Sequence, residues 1–133
     1  MKEAMNTPPK SFTVLIADRN MRVREFLRRE FLVEGYTVKL AKNGQQILEM
    51  VYSPDPVDLL IMDLDLPDMD GTEILSTLQY SIPVILHTYS KENSGRSIFP
   101  MAAAFVEKRG NSIEGLKKIV REIFVRQRFG KTY

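Results

Sequence analysis

Short runs of Val, Ile and Leu alternate with longer amphipathic stretches along this chain. Five runs have the length and composition of β-strands, and they span residues 12–17, 36–41, 57–62, 83–88 and 103–108. Runs that are apolar nearly throughout are typical of strands buried on both faces of a parallel sheet. Because such strands alternate with helices here, the pattern predicts an α/β fold with a five-stranded parallel sheet and helices on both faces.

The amphipathic stretches between the strands predict helices. These lie near residues 20–34, 43–52, 71–80, 92–101 and 112–127. The last helix has the clearest period, and one face carries Ile113, Leu116, Val120, Ile123 and Phe124. The fourth is the weakest, because Gly95 and Pro100 both disfavour a helix interior.

Length and composition limit the chain to one domain of a restricted kind. Its 133 residues match one ordinary domain, which we expect to span 12–127 between a flexible N-terminal segment, 1–11, and a short basic tail, 128–133. So short a tail leaves no room for an output domain, so we expect a stand-alone module. There is no cysteine and one histidine, which excludes disulfides and thiolate or His-cluster metal sites. No apolar run reaches the roughly 20 residues of a membrane span, and we expect a cytoplasmic protein without membrane contact.

Charge is unevenly distributed along the chain. The net charge is +2, but residues 117–133 carry six Lys or Arg and one Glu, or +5, which leaves 2 − 5 = −3 for the rest. A basic segment can contact nucleic acid. Solvated charges at a helix end are the simpler explanation, so we expect no direct nucleic-acid binding.

Polar residues follow or end four of the five apolar runs. Asp18 and Asp63 come directly after the first and third runs, while Thr88 and Lys108 end the fourth and fifth. Ligands of open parallel sheets bind beyond the carboxyl ends of the strands. We therefore expect two acids, a hydroxyl and an ammonium to converge on one rim.

Such a set suits phosphoryl transfer to a carboxylate. Asp63 would be the nucleophile, an acidic neighbour would hold a Mg²⁺ ion that neutralises the incoming oxygens, and Lys108 and Thr88 would bind the phosphoryl group.

Four segments of the sequence resemble the receiver domains of bacterial two-component response regulators. They are "LIAD", "DLLIMDLDLPDMDG", "PVILHT" and "FVEK", and the resemblance covers residues 12–127. It implies a doubly wound, flavodoxin-like sheet of order 2-1-3-4-5. It also implies a phosphorelay in which Asp63 accepts a phosphoryl group from a sensor histidine kinase or phosphotransfer protein.

The resemblance assigns further roles. Mg²⁺ would be bound by Asp18, Asp63 and the backbone carbonyl of Asp65, and Thr88 and Phe105 would form a switch pair that responds to phosphorylation. The signal would pass by protein–protein contacts to a downstream protein that the sequence does not identify. The domain would be a monomer or weak homodimer, and not an enzyme.

The first loop departs from the pattern of the resembled family, which has two adjacent acids where this chain has Asp18 and Arg19. Three interpretations are open. Arg19 points to solvent and Asp18 suffices, or Arg19 pairs with Asp63 in place of the metal, or Asp65 supplies the missing negative charge. The positive charge of Arg19 near the site predicts weakened Mg²⁺ binding.

Arg109 and Tyr89 also differ from the family pattern, and His87 is a further polar residue in a predicted strand. Arg109 follows Lys108 in place of proline, and Tyr89 replaces a small residue, where we expect it to cover the phosphorylation site. His87 is expected to be a strand residue whose ring is satisfied by hydrogen bonds, not a catalytic base.

Two other functions compete with the phosphoacceptor switch. A degenerate receiver that acts as a phosphorylation-independent interaction module is favoured by Arg19, Tyr89 and Arg109. A phosphatase of the haloacid dehalogenase kind is suggested by "DLDLPDMDGT". That family places the motif after its first strand, whereas here it follows the third, so an enzyme is not expected.

Overall fold

The structure is a computed structural model, and it describes residues 12–89 and 101–129. Five strands are present within these ranges: β1 (Thr13–Ala17), β2 (Thr37–Ala41), β3 (Leu59–Met62), β4 (Val84–Thr88) and β5 (Ala104–Glu107). Four helices accompany them: α1 (Met21–Val33), α2 (Gly44–Val51), α3 (Gly71–Leu78) and α4 (Ser112–Phe129). Each strand is one or two residues shorter than predicted. The weak helix predicted near 92–101 lies outside the described residues, except for its last position.

The strands form one parallel sheet in the order β2-β1-β3-β4-β5, which confirms the predicted fold class and strand order. The central strands β1 and β3 are buried along their whole length, which explains why they are apolar at every position except Thr13. Because all five strands run in one direction, their carboxyl ends lie along the same edge of the sheet.

Helices cover both faces of the sheet. On one face α1 and α4 pack on the alternate strand positions that include Val14 and Ile61. On the other face α2 and α3 pack on the intervening positions, which include Leu15 and Leu60. Side chains alternate between the faces of a strand, so each apolar run supplies both cores at once.

Polar side chains fix where three of the helices begin. The side chains of Asn20, Asn43 and Asp70 accept hydrogen bonds from backbone N–H groups in the first turns of α1, α2 and α3, respectively. Such caps satisfy N–H groups that have no partner within the helix. Since Asn20 and Asp70 lie two and seven residues after Asp18 and Asp63, the caps also restrain the loops that carry those acids.

The last helix, α4, is tied to α1 by ion pairs. Lys117 lies 2.7 Å from Glu30 and 3.6 Å from Glu34, and Arg121 lies 2.9 Å from Glu34. Part of the basic charge near the C-terminus is therefore neutralised within the domain, whereas the sequence interpretation placed it in solvent. None of the helices in the described ranges is both long and apolar enough to cross a membrane.

Gly71, the first residue of α3, permits a close approach of two backbone segments. A Cβ atom at this position would lie 2.6 Å from the carbonyl oxygen of Leu64 and 2.7 Å from its Cα. The Gly71 N–H also donates a hydrogen bond to that carbonyl. Since backbone atoms cannot move aside as a flexible side chain can, only glycine fits between the loop after β3 and α3.

We expect Gly71→Ala to lower the free energy of unfolding by about 2 kcal/mol, the usual cost of forcing a methyl group into a filled space. Gly115→Ala is the matched control, because a Cβ on Gly115 in α4 would meet no atom within 4 Å apart from its chain neighbours and the backbone of its own helix. That change should raise stability by up to about 1 kcal/mol through helix propensity. Urea unfolding of both variants measures the difference, and equal effects would contradict the close approach.

Candidate functional site

The carboxyl ends of four strands bring the predicted site residues together. Asp18 directly follows β1, Asp63 directly follows β3, Thr88 ends β4 and Lys108 directly follows β5. In the sheet β1 is paired with β3, β3 with β4, and β4 with β5. The four side chains therefore meet at one edge although up to 90 residues separate them in the sequence.

Asp63 lies at the centre of the cluster. Its Oδ2 atom lies 2.5 Å from the Lys108 ammonium, which also lies 2.7 Å from Oδ2 of Asp18. Its Oδ1 atom accepts hydrogen bonds from the Thr88 hydroxyl at 2.8 Å and from the Asp65 N–H at 3.0 Å. Asp18, Asp63 and Thr88 are only 2%, 4% and 8% exposed. Both oxygens of Asp63 are thus held by donors in a nearly dry environment.

The buried cluster carries an excess of negative charge. Two carboxylates face one ammonium, which leaves −2 + 1 = −1 for the three side chains. Burial lowers the pKa of Lys108, but the hydrogen bonds and charges of Asp18 and Asp63 more than offset this effect, so its pKa is raised overall. The ammonium stays charged, and the remaining negative charge favours binding of a further cation.

Two hydrogen bonds to Asp18 fix the loop after β1. The Oδ1 atom of Asp18 accepts one from the N–H of Asn20 at 2.8 Å, and the backbone carbonyl of Asp18 accepts one from the guanidinium of Arg24 at 2.5 Å. The sequence analysis missed Arg24, because nothing distinguishes it from the other three arginines of α1.

Arg19 lies at the surface of the site. Its side chain is 52% exposed and lies 3.5 Å from Oδ1 of Asp65, which is itself exposed. An ion pair with Asp63, one of the three sequence interpretations, is not found, because Asp63 binds Lys108 and Thr88 instead. The Arg19–Asp65 pair neutralises the carboxylate that was considered as a substitute for the missing acid.

The oxygen ligands available here match a hard cation. Within the described ranges, no group of three His, Cys, Asp or Glu side chains is arranged to hold a metal. A cation at the predicted place would have Asp18, Asp63 and the backbone of Asp65 as protein ligands. One or two carboxylates, completed by water and phosphate oxygens, are the typical ligands of Mg²⁺. The residues present therefore fit this ion.

Tyr89 and Phe105 lie on different sides of the cluster. The ring of Tyr89 is centred 5.0 Å from the Lys108 ammonium and is largely exposed, so it borders the site without covering it fully. Phe105 is half-buried in β5 and packs against the core on the α2 and α3 side. Its register partner in β4 is Leu86, two residues before Thr88, so Thr88 and Phe105 share one face of the sheet.

His87 precedes Thr88 in β4, so its side chain lies on the opposite face of the sheet, the α1 and α4 side. The prediction that hydrogen bonds satisfy its ring was wrong for one of the two ring nitrogens. Nε2 lies 3.1 Å from the Ser112 hydroxyl, but Nδ1 is buried without a partner among the described residues. Desolvation and the nearby Lys108 charge lower the pKa of His87 to about 4, against smaller opposing effects of Asp18 and Asp63. His87 is therefore neutral at pH 7.

Asp68, like Arg24, makes a contact that the sequence analysis did not predict. Its carboxylate accepts hydrogen bonds from the N–H groups of Gly44 and Gln45 at 2.8 and 3.0 Å, which lower its pKa. The loop after β3 is thus attached to the start of α2 as well as to α3.

Comparison with known proteins assigns the arrangement to a family. The family model described as the response regulator receiver domain matches residues 14–120 of the chain. The chain belongs to this family. Receiver domains are signalling modules of two-component systems. In this receiver domain, Asp18, Asp63, Thr88 and Lys108 lie at one edge of the parallel sheet.

The curated relatives are longer than this chain. The receiver domain is 38% identical over 81 residues to the response regulator MprA of Mycobacterium ulcerans (strain Agy99), a match that covers 59% of this chain and 34% of the relative. The chain therefore spans about a third of the length of the curated relatives that it matches.

Solved structures share the fold over nearly their whole length. The receiver domain superposes on response regulator protein TrrA from Thermotoga maritima, crystallised in complex with Mg²⁺ and BeF, with a TM-score of 0.77 and 27% identity over 84% of this chain and 98% of that one. A crystal structure of histidine kinase ThkA in complex with TrrA gives a TM-score of 0.76 and 29% identity, over 84% of this chain and 97% of the matched chain.

Proposed function

We propose that this receiver domain takes up a phosphoryl group on Asp63 from a phosphohistidine of a sensor histidine kinase or phosphotransfer protein. The observation that carries the proposal is the buried Asp63 carboxylate, held between Lys108 and Thr88. The complex of TrrA with a histidine kinase supports this class of partner. A bond forms from an Asp63 oxygen to phosphorus while the bond from phosphorus to the donor imidazole breaks, and the imidazole keeps the electron pair.

The residues around Asp63 would respond to its loss of charge. As an acyl phosphate, Asp63 no longer carries the negative charge that now attracts Lys108 and the Thr88 hydroxyl. The phosphoryl oxygens offer both donors a new, charged acceptor a few ångströms further out. Thr88 would move toward them, and Phe105, on the same face of the sheet, would follow as its switch partner. A downstream protein would read this change by direct contact.

Mg²⁺ would be held by Asp18, Asp63 and the backbone carbonyl of Asp65. When bound, the ion neutralises the oxygens of the phosphoryl group during transfer. Asp18 is well suited to this role, because Asn20 and Arg24 fix its loop. The Mg²⁺–BeF complex of TrrA supports the assignment.

The proposed kinase partner also suggests where the domain acts and in which oligomeric state. We propose that the domain acts in the cytoplasm, where it meets its kinase, as a monomer or weak homodimer. It signals through protein–protein contacts, and we expect no direct contact with nucleic acid.

Binding of beryllofluoride, a mimic of the phosphoryl group, tests this function. In the presence of Mg²⁺ the wild-type protein should give a bound ¹⁹F NMR resonance, and Asp63→Asn should give none. Asp65→Asn is the matched control, because Asp65 lies in the same loop but is exposed, and it should retain the resonance. A bound resonance in Asp63→Asn would exclude Asp63 as the acceptor.

Arg19 is expected to weaken Mg²⁺ binding. Its charge at the rim repels the ion, although exposure and the pair with Asp65 reduce the effect. Arg19→Asp changes the nearby charge by two units and should tighten Mg²⁺ binding at least about tenfold. Amide NMR shifts around Asp18 and Asp63 during a Mg²⁺ titration would measure the affinity.

Arg29→Asp is the control for the Arg19 substitution, because it makes the same charge change at an exposed position in the third turn of α1, away from the site. It should alter Mg²⁺ affinity much less. If Arg19→Asp and wild type bind equally well, the proposed weakening is wrong. If only Arg19→Asp binds Mg²⁺ and beryllofluoride, the wild-type domain is the degenerate, phosphorylation-independent module.

A further inference from the structure

The loop between β3 and α3 is closed on itself. Asp65 and Asp70 pair as an isolated antiparallel bridge across its two legs. The Asp65 N–H donates to Oδ1 of Asp63 at 3.0 Å, and the side chain of Asp70 accepts from the Thr72 N–H at 3.0 Å. One leg of the loop therefore contacts the buried cluster, and the other caps α3.

The tip of this loop, residues 66–69, contacts the start of α2. The two carboxylate oxygens of Asp68 accept separate hydrogen bonds, Oδ1 from the Gly44 N–H at 2.8 Å and Oδ2 from the Gln45 N–H at 3.0 Å. Hydrogen bonds to a charged carboxylate are roughly twice as strong as bonds between neutral groups. Asp68 thus joins the tip to a second element of the fold.

Helix α2 depends on hydrogen bonds from outside its own sequence. It spans only eight residues, Gly44–Val51, and has no acidic residue in its first turn. Isolated helices of this length are unstable in water. The side chain of its N-cap, Asn43, accepts from the Gln46 N–H at 2.8 Å, and the two preceding N–H groups are those that Asp68 accepts from. The negative charge of Asp68 also lies at the positive end of the helix dipole.

A close fit between Met69 and Gly44 adds an apolar part to the same contact. A Cβ atom on Gly44 would lie 2.6 Å from Cγ of Met69 and 2.7 Å from its Sδ. The Met69 side chain therefore occupies the space that a side chain at position 44 would fill. Met69 also packs against the core that includes Ile47 of α2. We call the contacts of Asp68 and Met69 with the start of α2 the tip contact.

We propose that Asp68 is a positioning residue for the cation site, and that it acts by holding the backbone of Asp65 in place. This backbone has two roles, because its N–H donates to Asp63 and its carbonyl would bind Mg²⁺. Since Asp65 and Asp68 lie three residues apart in one closed loop, the tip contact limits the movement of the Asp65 backbone. The effect on Mg²⁺ rests on the proposed function, whereas the restraint on Asp65 does not.

Amide ¹⁵N relaxation of the metal-free protein tests the restraint without Mg²⁺ or a phosphoryl donor. In wild type the amides of Asp65 and Leu66 should have order parameters of about 0.85, typical of rigid backbone, and Asp68→Ala should lower them toward about 0.6. Asp55→Ala is the matched control and should leave them unchanged. Asp55 is also an exposed loop aspartate, but it precedes β3 at the opposite edge of the sheet, where it pairs with Lys39.

A Mg²⁺ titration, followed by amide shifts around Asp18 and Asp63, tests the effect on the cation. Loss of a group that orients a metal ligand typically lowers affinity by 10–100-fold, so Asp68→Ala should weaken Mg²⁺ binding about tenfold. Asp68→Asn removes the same charge but keeps one acceptor oxygen for the Gly44 N–H, so it should weaken binding by no more than about threefold. Met69→Ala loosens the tip contact without a change in charge and should also weaken binding.

The results that would overturn this proposal differ from those that would overturn the role of Asp63. Unchanged order parameters in Asp68→Ala would show that Asp68 does not restrain Asp65. Equal weakening of Mg²⁺ binding by Asp68→Ala and Asp68→Asn would show that only the charge matters, and would overturn the positioning role. Wild-type protein that binds neither Mg²⁺ nor beryllofluoride would contradict the proposed function, and the order parameters would still decide whether Asp68 holds Asp65.

Discussion

Lys108→Met should lower the free energy of unfolding by about 3 kcal/mol, because removal of one partner from a buried ion pair leaves uncompensated charge in the interior. Among the described residues, the ammonium of Lys108 is the one cation paired with the carboxylates of Asp18 and Asp63, and all three side chains are nearly inaccessible. Methionine keeps most of the apolar stem, so the loss reports on charge and not on a cavity. Chemical denaturation at neutral pH measures it.

Two variants control the Lys108 result. Lys118→Met removes an exposed lysine of α4 and should change stability by no more than about 0.5 kcal/mol. In the Lys108→Met background, Asp63→Asn should recover at least about 1 kcal/mol, since it removes one of the two unpaired charges. If Lys108→Met lowers the free energy of unfolding by less than about 1 kcal/mol, and the double variant recovers none of this loss, water screens the charges of the cluster.

His87 should make the protein less stable as the pH falls from about 6.5 to about 4. Its pKa is about 4 in the folded protein and about 6.5 when unfolded, so in this interval the unfolded chain binds a proton that the folded protein does not. Stability contributed by neutral His87 is complete above pH 6.5 and is lost progressively below it. The total loss is about 3 kcal/mol by pH 4, from a difference of about 2.5 pKa units.

The comparison with His87→Gln isolates this contribution, because glutamine does not titrate and can still reach the Ser112 hydroxyl. His87 is the only histidine in the chain, so no other histidine titrates in this interval. The difference in unfolding free energy between the two proteins should therefore change steadily between pH 4 and pH 6.5. A constant difference would mean that buried His87 titrates normally.

The strand ends explain why much of the site could be predicted from the sequence. Asp18, Asp63, Thr88 and Lys108 each end or follow an apolar run, and parallel strands place such ends at one edge whatever their separation in the chain. The sheet itself was predictable for a related reason: β1 and β3 are buried on both faces, so they are apolar almost throughout.

Contacts between charged side chains and loops could not be predicted from the strand pattern. Arg24 on the Asp18 carbonyl, Asp68 on the start of α2, and the Arg19–Asp65 pair each depend on which of several charged residues a loop brings within reach. No periodicity encodes that choice. That Nδ1 of His87 has no partner within residues 12–89 and 101–129 was missed, because a strand pattern indicates burial but not whether each polar atom finds a partner.

Phosphorylation by acetyl phosphate with Mg²⁺, followed by mass spectrometry of the intact protein and of its peptides, tests the central claim most directly. The account predicts a single acid-labile phosphoryl group on the peptide that contains Asp63, present in wild type and in Asp65→Asn and absent in Asp63→Asn. A phosphoryl group that persists in Asp63→Asn, or wild-type protein that gains none even at saturating Mg²⁺, would contradict it.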